Sequence, residues 1–264
     1  MSAVAARLSA ARKQRIPMKT LRPIVALAAL TLAVHLHAQD TKPAAKPAPQ
    51  SPDIAAPKFG RDGKEDANFI KRHESFVATA KAGGVDLVFL GDSITAGWGG
   101  QKAIWDSAFG KHKPANFGIG GDRTQHVLWR IQNGELEGIS PKAAVLMIGT
   151  NNSGSDSAEA IAKGITAIVQ YLREKSPKTK VLLLAVFPRG PMPNPTREKL
   201  KQVNDTIAKL DDGKSVFYLD IGAKFLEADG ALTKEVMPDF LHLSAKGYQI
   251  WADAIGPKLA ELMK

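Results

Sequence analysis

Three short polar clusters each follow an apolar run, and a fourth precedes the last amphipathic stretch. They are Gly91-Asp92-Ser93, Gly118-Ile119-Gly120-Gly121-Asp122, Gly149-Thr150-Asn151-Asn152 and Pro238-Asp239-Phe240-Leu241-His242. Together these residue types suit nucleophilic attack on an acyl carbonyl. A serine attacks, a histidine takes its proton and returns it to the leaving alcohol, and a carboxylate orients the histidine. Glycine N–H groups and an asparagine amide suit the oxyanion that forms. Asp239 and His242 are three apart, which puts both on one side of a turn or first helical turn. Residue type alone leaves alternatives open. Gly-Asp-Ser is also ordinary turn composition, and Asn151 and Asn152 also suit a helix cap or a turn. His73, His112 and His126 compete with His242 as base. Gly118 and Gly120 begin a G-x-G pattern, but Arg123 stands where the third glycine belongs, so the dinucleotide reading is weak. Asp92 and Asp122 read as loop hydrogen-bonders rather than metal ligands.

The elements that must carry these clusters alternate. The runs Val85–Leu90, Ala115–Ile119, Ala143–Ile148, Val181–Phe187 and Ser215–Leu219 are short and apolar, as buried parallel strands read. Between them lie helical patterns at Glu65–Ala80, Ile104–Phe109, Thr124–Gln132, Ala158–Arg173 and Thr196–Leu210, with a last one from Ala245 to about Met263 behind the cap Ser244. Asp122 is the expected cap of the Thr124 helix. This alternation predicts an α/β fold: three layers, α/β/α, with a flavodoxin-like five-stranded parallel sheet. Ligands then sit beyond the carboxyl ends of the strands, where three of the clusters fall.

Composition removes several function classes. The 264 residues include no cysteine, so thiolate catalysis, disulfides and cysteine-ligated metals are excluded. The net charge of +10 suggests nucleic acid, yet six of those charges lie in residues 1–38, which hold no acid. Without that segment the chain is mildly basic and no nucleic-acid partner is expected. The segment has a basic cluster, an apolar run from Ile24 to Val34 and a small residue, Ala38, so it reads as a signal peptide. Met18-Lys19 would begin a compact signal by itself. An uncleaved anchor is the alternative, although the apolar run is short of the about 20 residues a span needs. Residues 39–57 are rich in Pro and Ala and read as an extended linker, leaving one domain over residues 58–264.

In this order and spacing, the clusters resemble the four blocks of the SGNH (GDSL) hydrolases, from about Asp66 to Leu262. The stretches Asn116–Asp122, His126–Arg130, Asn133–Glu137, Gly149–Asn152, Pro188–Gly190 and Asp239–Leu243 are similar to catalytic subunits of platelet-activating factor acetylhydrolase. The resemblance implies a carboxylic ester hydrolase with Ser93 as nucleophile, Asp239 and His242 as its partners, and an oxyanion hole of the Ser93 and Gly121 N–H groups and Asn151. It implies no cofactor and no metal. Thr95 stands where an α/β-hydrolase elbow carries its last glycine, which favours the SGNH reading. The Gly-rich stretch from Ile94 to Gly100 departs from the acetylhydrolase pattern, so the acyl pocket is expected to differ, shaped by Trp98 and the Phe187–Met192 loop. A signal segment also departs from an intracellular subunit. The expectation is a periplasmic or secreted esterase acting on short-chain, acetyl, esters of saccharides or small molecules. The alternatives are transfer to a sugar acceptor at the same site, a phospholipid acetylhydrolase, and a silent carbohydrate-binding module. The Thr124–Gln132 helix and Trp129 are where a homodimer would form; ordinary core packing is the competing reading. No stable membrane insertion is expected once the signal is removed.

Overall fold

A computed structural model of the chain describes residues 50–264. The expected signal segment and residues 39–49 of the expected linker lie outside the described residues. Five strands form one parallel sheet: β1 (Leu87–Gly91), β2 (Pro114–Gly118), β3 (Ala143–Met147), β4 (Lys180–Leu184) and β5 (Val216–Leu219). Their order is β2-β1-β3-β4-β5, the flavodoxin-like arrangement. The chain reverses its direction of travel at β1 and β3, so the crevice beyond their carboxyl ends is the topological switch point.

Alternation along the strands builds two cores. Val88 and Leu90 of β1 and Ala144 and Leu146 of β3 face one side. There they meet Phe69 and Phe76 of α1 (Ala67–Ala82), and also α4 (Thr124–Arg130), α5 (Ala158–Lys175) and α6 (Pro195–Ile207). Leu87 and Phe89 face the other side with Val145 and Met147. They pack on Phe109 of α3 (Lys102–Phe109) and on Tyr248, Trp251 and Ile255 of α7 (Ala245–Leu262). Each fully buried Val, Leu, Ile, Phe or Met among them contributes about 1.5–3 kcal/mol relative to exposure.

Several boundaries differ from expectation for identifiable reasons. The expected fourth strand runs to Phe187, but β4 ends at Leu184. Beyond it the Asn204 side chain accepts from Val186 N at 2.8 Å and donates to Val186 O at 3.0 Å, replacing a neighbouring strand. Asp122 does not cap α4. Arg123 holds that position, and its N–H donates to His126 Nδ1 at 3.1 Å. The end of the expected linker is folded onto the domain. Thr124 Oγ1 donates to Pro52 O at 2.8 Å, Ala56 N donates to Gln125 O at 3.2 Å, and Gln50 Oε1 lies 3.1 Å from His126 Nε2. These buried polar groups at the start of α4 take partners from residues 50–56, which composition alone reads as unattached. Trp129 is half-buried, its ring 5.6 Å from Phe69 and 4.9 Å from His73 between centroids. No helix among the described residues is long and apolar enough to cross a membrane.

Candidate active site

Ser93 opens α2, a single turn from Ser93 to Ala96 directly after β1. Asp92 caps that turn, its Oδ1 accepting from Ile94 N at 2.9 Å. α7 holds the turn from below, where Tyr248 donates its hydroxyl to Ile94 O at 2.7 Å. The end of β2 presses on it from the side. A Cβ on Gly118 would lie 2.3 Å from Ala96 N, so only glycine allows this approach.

The fourth cluster reaches Ser93 from 149 residues away: Ser93 Oγ lies 2.8 Å from His242 Nε2. Asp239 Oδ2 lies 2.7 Å from His242 Nδ1, and Asp239 Oδ1 accepts from His242 N at 2.7 Å and Leu241 N at 3.1 Å. An ionised Asp239 requires Nδ1 to carry the imidazole proton, which leaves Nε2 to accept from the serine hydroxyl. Partial burial works to raise the Asp239 pKa, but the bonds from His242 and Leu241 outweigh it and hold the carboxyl below its ordinary value. Phe240, between the two, has φ of 59°. A non-glycine residue there costs on the order of 1–3 kcal/mol, and such strain concentrates where geometry serves function.

The second and third clusters close the other side. Asn151 Nδ2 donates to Asp122 O at 2.9 Å and lies 3.4 Å from Asp92 Oδ2. Gly121 has φ of 73°, a conformation glycine adopts without strain. Its N–H and that of Ser93 have no acceptor among the described residues. The structure thus brings Ser93, Gly121, Asn151, Asp239 and His242 to one end of the sheet. The other histidines are elsewhere. His73 Nδ1 faces Glu135 Oε1 at 3.0 Å, His126 is buried against residue 50, and His112 precedes β2, at the amino-terminal end of the strands away from the site. Among the described residues, no cluster of three His, Asp or Glu side chains is placed to hold a metal.

Beneath the loops lies a charged network that residue patterns did not reveal. Arg130 is fully buried. It donates to Asp122 Oδ2 at 2.9 Å, to Glu135, to Phe117 O at 3.0 Å and to Gly91 O at 3.3 Å. Those two carbonyls belong to the next-to-last residue of β2 and the last of β1, so one guanidinium ties together the strand ends that present Gly121 and Ser93. Burial pushes Asp122 up to about 6 against the pull of Arg130 and Lys58, and pushes Asp92 up to about 7 against the bond from Ile94. No local spacing signals the network, because Asp122 lies before the cap of α4 and outside its helical repeat. Trp98 does not shape an acyl pocket as expected. It is 1% exposed and packs among Phe89, Trp105, Tyr248 and Trp251, in the core rather than at an acyl pocket. The Phe187–Met192 loop does touch the site: Gly190 N donates to Phe240 O at 2.8 Å and Arg189 Nη1 to Thr150 O at 3.3 Å.

Known proteins resemble the chain in sequence and in fold. Residues 89–250 match the family model of the GDSL-like lipase/acylhydrolase family. The chain is 40% identical over 225 residues to platelet-activating factor acetylhydrolase IB subunit alpha1 of Homo sapiens, covering 85% of this chain and 92% of the relative. It is 42% identical over 195 residues to the alpha2 subunit of Rattus norvegicus, covering 74% and 84%. A GDSL-like lipase from Bacteroides thetaiotaomicron shares the fold with a TM-score of 0.59 at 21% identity, covering 74% of this chain and 98% of that one. So does an acetyl-xylooligosaccharide esterase of Geobacillus, with a TM-score of 0.53 at 18% identity, covering 68% and 94%. Matched across most of its domain, the chain belongs to the GDSL-like lipase/acylhydrolase family and is a carboxylic ester hydrolase.

Proposed function

We propose that the chain is an exported serine esterase that removes short acyl groups, acetyl above all, through an acyl-enzyme. The observation that carries this is the unbroken line Ser93 Oγ, His242 Nε2, His242 Nδ1, Asp239 Oδ2, with contacts of 2.8 and 2.7 Å. In the first half-reaction the Ser93 oxygen bonds to the ester carbonyl carbon and its proton passes to His242 Nε2. The oxyanion meets the Ser93 and Gly121 N–H groups and the Asn151 amide. Collapse breaks the bond to the alcohol, which leaves with the proton from His242. Water then repeats the sequence on the acyl-serine, releasing the acid and restoring Ser93. Asp239 stays ionised and stabilises the imidazolium.

Hydrolysis is favoured over transfer to a sugar by the match to a lipase/acylhydrolase family. Two alcohol classes have support. A signal-like segment before the domain suits acetylated saccharides or other small esters outside the cytoplasm. The names of the relatives suit an acetylated phospholipid. The deciding experiment is turnover of p-nitrophenyl esters of rising acyl length, beside acetylated oligosaccharides and an acetyl glycerophospholipid. We expect Ser93→Ala to lose about 10³-fold or more in kcat on p-nitrophenyl acetate, because nucleophile and base act as a unit. Unchanged turnover would remove Ser93 from the mechanism. Export is tested by cell fractionation and N-terminal sequencing, with a mature chain expected to begin at Gln39; a cytoplasmic chain retaining residues 1–38 rejects it.

A further inference from the structure

Lys58 lies outside the family match, which begins at residue 89, and outside every cluster singled out by residue type. Its Nζ donates to Gly120 O at 2.6 Å. We propose that Lys58 is a positioning residue that holds the Gly120–Gly121 peptide with the Gly121 N–H turned toward the oxyanion. The inference rests on the esterase reading and adds to it the group that sets one of its donors.

Peptide geometry links the two groups. No described peptide bond is cis, so the Gly120 carbonyl and the Gly121 N–H, which share one planar unit, point in opposite directions. A cation fixed on the oxygen therefore aims the N–H away from itself. This peptide borders the nucleophile, since a Cβ on Gly120 would lie 3.9 Å from Ser93 Cβ. The N–H is left without an acceptor, as a donor kept for substrate requires. Neither glycine has a side chain to resist rotation of the unit, so its orientation depends on what grips it. A charge-assisted bond is stronger than a neutral one, and it polarises the peptide so that the N–H becomes a better donor.

Lys58 is itself held. Its carbonyl accepts from Asp66 N at 2.8 Å, where Asp66 caps α1, and Phe59 pairs with Glu65 in an antiparallel bridge. Its ammonium lies 3.9 Å from Asp122 Oδ1, a buried oxygen with no hydrogen-bond partner. The residues just before it are the ones bonded to the start of α4. The residue that directly follows the stretch composition reads as linker thus brings a cation to the back of the proposed oxyanion hole.

Because the chain has no cysteine, Lys58→Cys introduces its single thiol. Lys58 lines an open cavity of about 480 Å³ with Arg72, Ala96 and Gly118, so reagents reach that position. Alkylation with 2-bromoethylamine displaces bromide and rebuilds a lysine-length ammonium, whereas methyl methanethiosulfonate leaves a neutral cap. On p-nitrophenyl acetate, the full chain with Lys58→Cys is expected to lose about tenfold in kcat with KM within about twofold, less than loss of a direct oxyanion donor costs. Aminoethylation should restore most of that rate and the neutral cap none. A wild-type kcat in Lys58→Cys overturns the proposal, as does recovery with both reagents or with neither. If the cysteine variant does not fold, Lys58→Arg and Lys58→Met replace it: a loss in Met that Arg recovers supports the role, and equal rates overturn it. A fluorophosphonate separates the two levels. A flat Lys58 series with Ser93 labelled sinks this inference alone; unlabelled Ser93 with an active Ser93→Ala sinks the esterase reading beneath it.

Discussion

Asn151 has two amide protons, and both are near acceptors. The bond to Asp122 O at 2.9 Å fixes the side chain, while the 3.4 Å approach to Asp92 is long. The second proton is the one an oxyanion can recruit without undoing the first bond. Asn151→Ala is therefore expected to lower kcat about 10²–10³-fold with KM nearly unchanged, because the interaction forms only in the transition state. Steady-state kinetics on a short ester decides it, and a loss confined to KM argues against the role. Asp92 sits behind this amide, pushed up to about 7 by burial, so its charge and the position of Asn151 are linked near neutral pH.

At the level of elements, the site depends on two strands stopping at the same height. β1 and β2 are paired from Leu87 with Pro114 to Gly91 with Gly118, which places their loops side by side. Arg130, at the end of α4, then bonds to a carbonyl at the end of each. Arg130→Met would leave buried Asp122 and Glu135 without their cation, at a cost of about 3–5 kcal/mol. Urea denaturation measures this. The deficit should shrink as pH falls toward about 6, because Asp122 without Arg130 is pushed still higher by burial and takes up its proton before the wild-type carboxyl does. A variant within about 0.5 kcal/mol of wild type would mean that the network contributes nothing net.

For the whole molecule, buried titrating groups set the pH response. Burial, with Lys58 and Arg123 nearby, pulls His126 down to about 3, and its Nδ1 accepts from Arg123 N, as only an unprotonated nitrogen can. An unfolded histidine binds its proton near about 6.5. The His126 contribution is therefore whole above that pH and is lost as pH falls toward 3. Asp92 and Asp122 act in the opposite sense. Their pKa values are raised, so the folded chain binds protons first and acidification through about 7 and 6 favours folding. His126→Gln isolates the histidine. Between pH 7 and pH 5 its stability should gain about 2 kcal/mol relative to wild type, read from urea titrations at both values. Parallel curves would mean that His126 titrates as it does in the unfolded chain.

Hydrophobic periodicity and turn chemistry are local, and whatever depends on them is legible in the chain alone. The apolar runs marked where five strands lie, the helical patterns marked what covers them, and the polar clusters marked the strand ends where loops gather. Ends set by side chains from elsewhere were not legible, as where Asn204 takes the place of a strand beside Val186. Long-range packing selects which of several equivalent residues meet. It placed His242 rather than His73, His112 or His126 at Ser93, moved Trp98 into the core, drew residues 50–57 onto α4 and buried Arg130 beneath two loops. Lys58 shows the reason most clearly. Its bond to Gly120 joins residues 62 apart, and no pattern in the residues around either one records the other. Contacts of that kind exist only after the sheet has set the distance between them.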